Sequence, residues 1–254
     1  MPVRAEHDRP QLARLLARDP VLHAYQLGDL DDFFWPYTSW FRRDDQVALL
    51  YHGTDTPVLI AHADPAGLPV LSALLADLAP LLPARLYAHL SPGLSTGPFD
   101  VERERPHLRM ALTAPGLLDR VTPAGQPLTV ADLPELTALY AQAYPGNWFD
   151  ARMLDTGHYV GVRDGGELEA VAGVHVYSPA YRVAALGNVT THPRARGRGL
   201  AAAAVAAVCR GLAAHVDHVT LNVSADNVAA RRLYARLGFT DAAEFTECWL
   251  RPRP

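Results

Sequence analysis

The sequence predicts an α/β (α+β) protein whose second half carries a mixed, mainly antiparallel sheet flanked by helices, preceded by a second α+β domain. Three observations predict it. Short apolar runs joined by polar turns recur as hairpins. After residue 128 the periodicities run helix, three strands, helix, strand, helix, strand, which calls for helices on the faces of a mixed sheet. Between the halves, residues 113–126 hold Pro115, Gly116, Pro123 and Gly125 in a loose array. That array sets the expected domains at 1–115 and 116–254.

In the first half, residues 11–18 read as a helix with Leu12, Leu15 and Leu16 on one side. Residues 25–41 are dense in aromatics, among them Phe33, Phe34, Trp35, Tyr37, Trp40 and Phe41, and read as packing. The apolar runs 46–51 and 58–62 flank His52-Gly53-Thr54-Asp55-Thr56-Pro57, a hairpin. Residues 68–78 form a helix with Pro69 in its first turn and Pro80 just past its end. Strands at 85–90 and 107–113 surround a loop rich in Pro, Gly and Ser.

In the second half, residues 129–143 form a helix that Thr129 can cap, with Leu133, Leu136, Leu139 and Tyr140 as its apolar stripe. Strands at 158–163 and 169–177 meet at Asp164-Gly165-Gly166, and a third follows at 182–190. A helix at 200–214, a strand at 218–223, a helix at 227–237 stopped by Gly238, and a strand at 245–250 complete the chain.

Composition excludes several function classes. The 254 residues are 49% apolar and carry a formal charge of −4, so no nucleic-acid surface is expected. There is no lysine; all 23 basic residues are arginine, which removes a Walker-type phosphate loop, a Schiff base and a kinase site. Two cysteines, Cys209 and Cys248, give no disulfide framework. Of 11 histidines only His215 and His218 lie close together, and no metal site is expected. The charged first 14 residues lack the apolar segment of a secretory signal, and the small apolar run 201–209 is too short to span a bilayer. The expectation is a soluble cytoplasmic protein with no membrane partner; its oligomeric state is not written in the sequence.

The strongest local signal is a strand, then His192-Pro193-Arg194-Ala195-Arg196-Gly197-Arg198-Gly199, then an alanine-rich helix. Pro193 ends the strand. Gly197 and Gly199 permit positive φ and close backbone approach. The first amides of the helix, at Gly199, Leu200 and Ala201, have no partner inside it. With Arg194, Arg196 and Arg198 they make an anion site suited to phosphates, set against the plainer reading of an arginine-rich surface loop. Gly197-x-Gly199-x-x-Ala202 also fits a dinucleotide fingerprint, with Asp217 or Asp226 as ribose acid. Too little chain follows for the further βα units that fold needs, and the hairpins before the loop oppose it.

Residues 191–201 resemble the Val-x-Pro-x-x-Arg-Gly-x-Gly-x-Gly/Ala segment of the GNAT superfamily of N-acetyltransferases. The proline fixes the register, so that Arg196, Gly199 and Ala201 take the signature positions; Arg194, Gly197 and Gly199 fit the spacing alone. Thr191 stands where the family often has valine. Downstream, Leu221-Asn222-Val223, Asn227, Ala230, Tyr234 and Leu237-Gly238-Phe239 are similar to its second signature. Residues 145–149, 173–175 and 186–189 look like a bacterial two-part branch, with a C-terminal half similar to glycine N-acyltransferases. Residues 1–115 have a comparable strand–helix–strand order without the glycine loop, as a degenerate GNAT-like repeat would.

The resemblance implies an acyltransferase with acetyl-CoA as cosubstrate and a small-molecule or peptide amine as acceptor. It implies pyrophosphate on the backbone of Arg196, Gly197, Arg198, Gly199, Leu200 and Ala201, and pantetheine along Val189 and Thr191. Asn222 and Asn227 are expected at the cofactor. Tyr234 takes the place of the acid that protonates the leaving sulfur; read as a residue type, it equally fits the apolar stripe of Ala230, Leu233 and Leu237. A tyrosine of ordinary pKa near 10 is protonated at neutral pH and can supply that proton. His175 is the candidate base for the amine, with His158, Asn147 and Glu169 behind it. The alternative is an acyl-CoA-binding module without turnover.

Overall fold

A computed structural model describes residues 4–253; residues 1–3 and 254, the outer ends of the two expected domains, lie outside the described residues. In chain order the elements are β1 (Arg4–Ala5), α1 (Arg9–Leu16), α2 (Ala24–Gly28), β2 (Thr38–Arg43), β3 (Gln46–Tyr51), β4 (Val58–Ala61), α3 (Leu68–Leu78), β5 (Leu86–Leu90) and β6 (Phe99–Leu112). There follow β7 (Gln126–Pro127), α4 (Leu133–Ala143), β8 (Val160–Asp164), β9 (Glu167–Ser178), β10 (Val183–Thr191), α5 (Leu200–Leu212), β11 (His218–Ser224), α6 (Val228–Arg236) and β12 (Phe239–Pro252). Among the described residues no helix is long and apolar enough to cross a membrane.

The chain divides into two compact units. The first is Met1–Arg109 with Val223–Asn227 and Asp241–Pro254; the second is Met110–Asn222 with Val228–Thr240. In the first, β1, β2, β3 and β4 run antiparallel in turn, and β4 then pairs parallel to β5 through α3. A parallel pair needs such a crossover. Leu71, Leu74, Leu75 and Leu78 recur at helical spacing on α3 and bury fully against Leu59, Ala61, Leu86 and Ala88.

Two features of the first unit differ from expectation. β6 begins at Phe99 rather than near residue 107, because its charged stretch pairs with β12, with Arg251 bound to Glu102 at 3.0 Å and, just past β12, Arg253 bound to Asp100 at 2.8 Å. The segment from Asp241 to the end, expected with the second domain, belongs to this unit, since β12 pairs antiparallel with β5 from Thr246↔Leu90 to Leu250↔Leu86.

In the second unit β7, β8, β9 and β10 are antiparallel neighbours and β10 pairs parallel to β11 through α5. Both units therefore share one order, antiparallel strands followed by a parallel pair across a helix. α5 packs on β8, β9 and β10 through Ala203, Ala204, Ala206, Val208 and Leu212, and its small side chains let it lie close to the strands. Thr129 caps a 3₁₀ turn, Val130–Asp132, in a reciprocal box with Asp132, so the α-helix itself starts later, at Leu133.

Candidate active site

β10 ends at Thr191, and a short turn at Pro193–Ala195 leads into the glycine loop. Gly197 and Gly199 hold φ of 79° and 80°, the left-handed region that other residues enter at a cost. A Cβ at either would meet nothing within 4 Å, so the backbone faces open space there. Gly199 is the N-cap of α5 and no side chain caps the helix, which leaves its first amides directed out of the chain. Leu200 and Ala201 behind it are half-buried.

The three arginines of the loop are not equivalent, contrary to their joint reading as anion ligands. Arg194 is bound to Glu169 through Nη2 at 2.7 Å and also pairs with Glu167. Arg198 is bound to Asp164 at 2.7 Å. All three carboxylates lie near the β8–β9 hairpin, far from the arginines in sequence. Arg196 is exposed, donates from Nε to the Thr191 carbonyl at 3.4 Å, and among the described residues has no carboxylate partner.

The strand before the loop is irregular in a specific way. β10 pairs with β11 from Val183↔His218 to Leu186↔Leu221, and there the ladder stops, although β10 runs on to Thr191. On its other edge the register to β9 shifts twice, between Ala185 and Leu186 and between Gly187 and Thr190. The second shift is a bulge built on Asn188, which has φ of 54°. Val189 and Thr191, half-buried, follow in the stretch that β11 no longer pairs. The first shift leaves His175 as the extra residue of β9.

Tyr234 lies on α6, 8% exposed, edge-on to Phe239 at 5.8 Å between centroids. Burial raises its phenol pKa well above the usual value, and the Tyr144 and Cys209 side chains add to that. Among the described residues its hydroxyl makes no hydrogen bond. His175, half-buried, lies against β10: a Cβ on Gly187 would fall 2.0 Å from the ring. Asn222, half-buried, is on β11. Asn227 is exposed and its amide donates to the Ser224 carbonyl at 3.0 Å. Of the weaker base candidates, Glu169 is committed to Arg194, and His158 packs on Tyr177 with its pKa lowered by burial and then by His215.

Sequence reading missed the side chains that hold the bulge. The Tyr140 hydroxyl donates to the Asn188 carbonyl at 3.1 Å, and Asn188 Nδ2 donates to the Trp148 carbonyl and to Tyr159 Oη, both at 3.1 Å. Tyr159 in turn donates to the Val174 carbonyl at 3.2 Å. Tyr140 looked like one more member of an apolar stripe. The usable signal was an asparagine inside an apolar strand, next to a glycine.

The first unit offers a contrast at the matching place. β4 keeps β5 as partner to its last residue, Ala61↔Leu90, without a register shift. The turn before α3 ends at Gly67 with φ of −80°, and the Asp64 carboxylate accepts the Gly67 amide at 2.8 Å. The Gly67 amide at the head of α3 is thus taken up by a carboxylate, although α3, like α5, has no side-chain cap.

Residues 159–250 match the family described as FR47-like protein. No curated protein matches the chain. Among solved structures, a protein from Novosphingobium aromaticivorans described as a GNAT-family acetyltransferase is similar at 29% identity, with a TM-score of 0.62 over 82% of this chain and 89% of that one. A Drosophila protein superposes with a TM-score of 0.69 at 16% identity over 99% of this chain and 98% of that one. A tandem GNAT protein from the clavulanic acid biosynthesis pathway gives 0.59 at 16% identity over the same shares. At those identities the last two speak for the fold alone. The strand that parts from its neighbour, the open glycine loop at the head of α5 and these likenesses together give the chain the fold of GNAT acetyltransferases and support a place beside them, proteins that carry out acyl-CoA-dependent acetyl transfer.

Proposed function

We propose that this protein is an N-acetyltransferase that moves an acetyl group from acetyl-CoA to a primary amine of a small molecule or peptide, using the domain after residue 115 for the chemistry. The observation that carries the reading is the coincidence of two features at one end of β10. Its ladder to β11 ends at Leu186, and five residues past its last one, Thr191, Arg196 opens a loop of uncapped amides. The loop backbone from Arg196 to Ala201 and the Arg196 guanidinium suit a pyrophosphate. The backbone of Val189 and Thr191, released from β11, suits the amides of pantetheine as a strand would. Asn222 is a further polar contact on the neighbouring strand.

The amine nitrogen attacks the thioester carbonyl carbon, the C–S bond breaks, and the electron pair leaves on sulfur. Tyr234 gives its phenolic proton to that sulfur, and its raised pKa keeps it protonated for the purpose. His175, directly or through water, takes the proton the amine loses. An acceptor screen with acetyl-CoA that follows free thiol tests the proposal. Thiol release that depends on an amine is expected; tight CoA binding with no release from any amine would leave a binding module instead.

A further inference from the structure

The hydrogen-bonded group around Asn188 does not touch the glycine loop, and nothing in the chemistry above uses it. Its members come from three separate segments. Tyr140 is on α4, Tyr159 precedes β8, and Trp148 sits in the turn between them, so the bulge is gripped from elements far from it in sequence. The grip is dry: Tyr159 is fully buried, and Tyr140 and Asn188 are each 4% exposed. Phe149 wedges between the two rings, 5.1 Å from Tyr140 and 5.8 Å from Tyr159. Room for the Tyr159 ring depends on Gly173, where a Cβ would fall 2.3 Å from it.

Asn188 holds a left-handed conformation that costs a non-glycine residue about 1 kcal/mol or more. A strand would avoid it unless neighbouring groups imposed it. Both Asn188 Nδ2 hydrogens and its carbonyl are spent on that task. The conformation puts the bulge of β10 immediately before Val189, and Thr190 and Thr191 then resume pairing with β9 one residue out of step.

We infer that Asn188, with Tyr159 and Tyr140, is a positioning group for the pantetheine arm of CoA: it sets the direction of the β10 backbone that receives that arm, and it has no part in holding the phosphates. The inference rests on the proposed CoA-binding role of β10. Two probes separate the parts of the ligand, CoA itself and 3′-phospho-ADP, which has the phosphates and no pantetheine. Two variants separate the grip from the backbone. Asn188→Gly keeps the left-handed conformation accessible and loses both side-chain bonds; Tyr159→Phe keeps the ring and loses the hydroxyl.

Calorimetric titration of the full chain reads the result. Each variant is expected to bind CoA about tenfold more weakly, the loss of one to two well-formed hydrogen bonds, and to bind 3′-phospho-ADP within about twofold of the parent protein. The KM for acetyl-CoA should rise in step with the CoA affinity. Unchanged CoA affinity in both folded variants overturns the inference, and so does an equal loss for the two probes, which would make the group a support of the fold only. A parent protein that binds neither probe overturns the CoA reading itself, and the inference falls with it.

Discussion

Arg194 and Glu169 form a two-point ion pair, with Nε and Nη2 of the arginine both donating to Oε1 at 3.0 and 2.7 Å. The carboxylate is buried while the guanidinium is half exposed, so the pair ties the turn before the glycine loop down to β9. Removing the arginine strands a buried carboxylate, whereas removing Arg196 strands nothing. Arg194→Ala is therefore expected to lower the melting temperature by several degrees. Arg196→Ala should melt like the parent and bind CoA about tenfold more weakly, the loss of one charge-assisted contact. Thermal melts and titrations on both variants check this, and the opposite pattern would mean that Arg194 leaves Glu169 to meet the phosphates.

Gly199 sits at φ of 80° with open space beside it. Gly199→Ala should cost about 1 kcal/mol of stability from backbone strain and little else. Gly199→Asp adds a carboxylate in front of the free amides of α5, a conformation aspartate tolerates. The folded variant is expected to lose nearly all affinity for CoA, through repulsion and occupation of the anion site. Comparing the two variants by melting and titration separates strain from charge. Full affinity in folded Gly199→Asp would place the phosphates elsewhere.

The first unit repeats the order of strands and crossover helix but not the features proposed to bind CoA. Its parallel pair stays closed through Ala61↔Leu90, and Asp64 already occupies the turn ahead of α3. One CoA per chain is the expected stoichiometry by calorimetry. A second equivalent of comparable affinity would show that the first unit binds despite that carboxylate.

How much of this was legible in the sequence depended on how local the cause was. The limits of α3, Leu68–Leu78, follow from Pro69 and Pro80, which act on their own neighbours, and were read correctly. The hairpin at Asp164-Gly165-Gly166 is equally local. The charged start of β6 was not legible, because its strand partner is β12 at the other end of the chain, with ion pairs from Arg251 and Arg253 alongside. In the loop, the glycines and their freedom could be read, but the neutralisation of Arg194 and Arg198 could not. Their partners Glu169 and Asp164 lie 25 and 34 residues away and meet them only once β9 and β10 pair. The bulge at Asn188 is a property of register between strands, which no single segment encodes.

Tyr234 is the residue on which chemistry and packing make different demands. Its ring packs edge-on against Phe239, and its hydroxyl makes no hydrogen bond among the described residues. Tyr234→Phe keeps the ring and discards the hydroxyl, so stability and CoA affinity should hold. Turnover should fall by roughly 10²–10⁴-fold, the usual range for a positioned acid, and a fall in kcat at unchanged affinity is the mark of an interaction made in the transition state. The pH dependence has a definite sign. A phenol acting as acid is lost when it deprotonates, and burial has pushed that event above its ordinary range near 10. The parent enzyme should therefore show no alkaline fall in kcat up to pH 10, where a solvent-exposed tyrosine would be half ionised. Free thiol release measured from pH 7 to 10, on parent and variant, tests both points. Near-normal turnover in Tyr234→Phe, with the chemical step limiting, would assign the tyrosine to packing and return the proton on sulfur to solvent, while the phosphate loop around Arg196 would stand on its own tests.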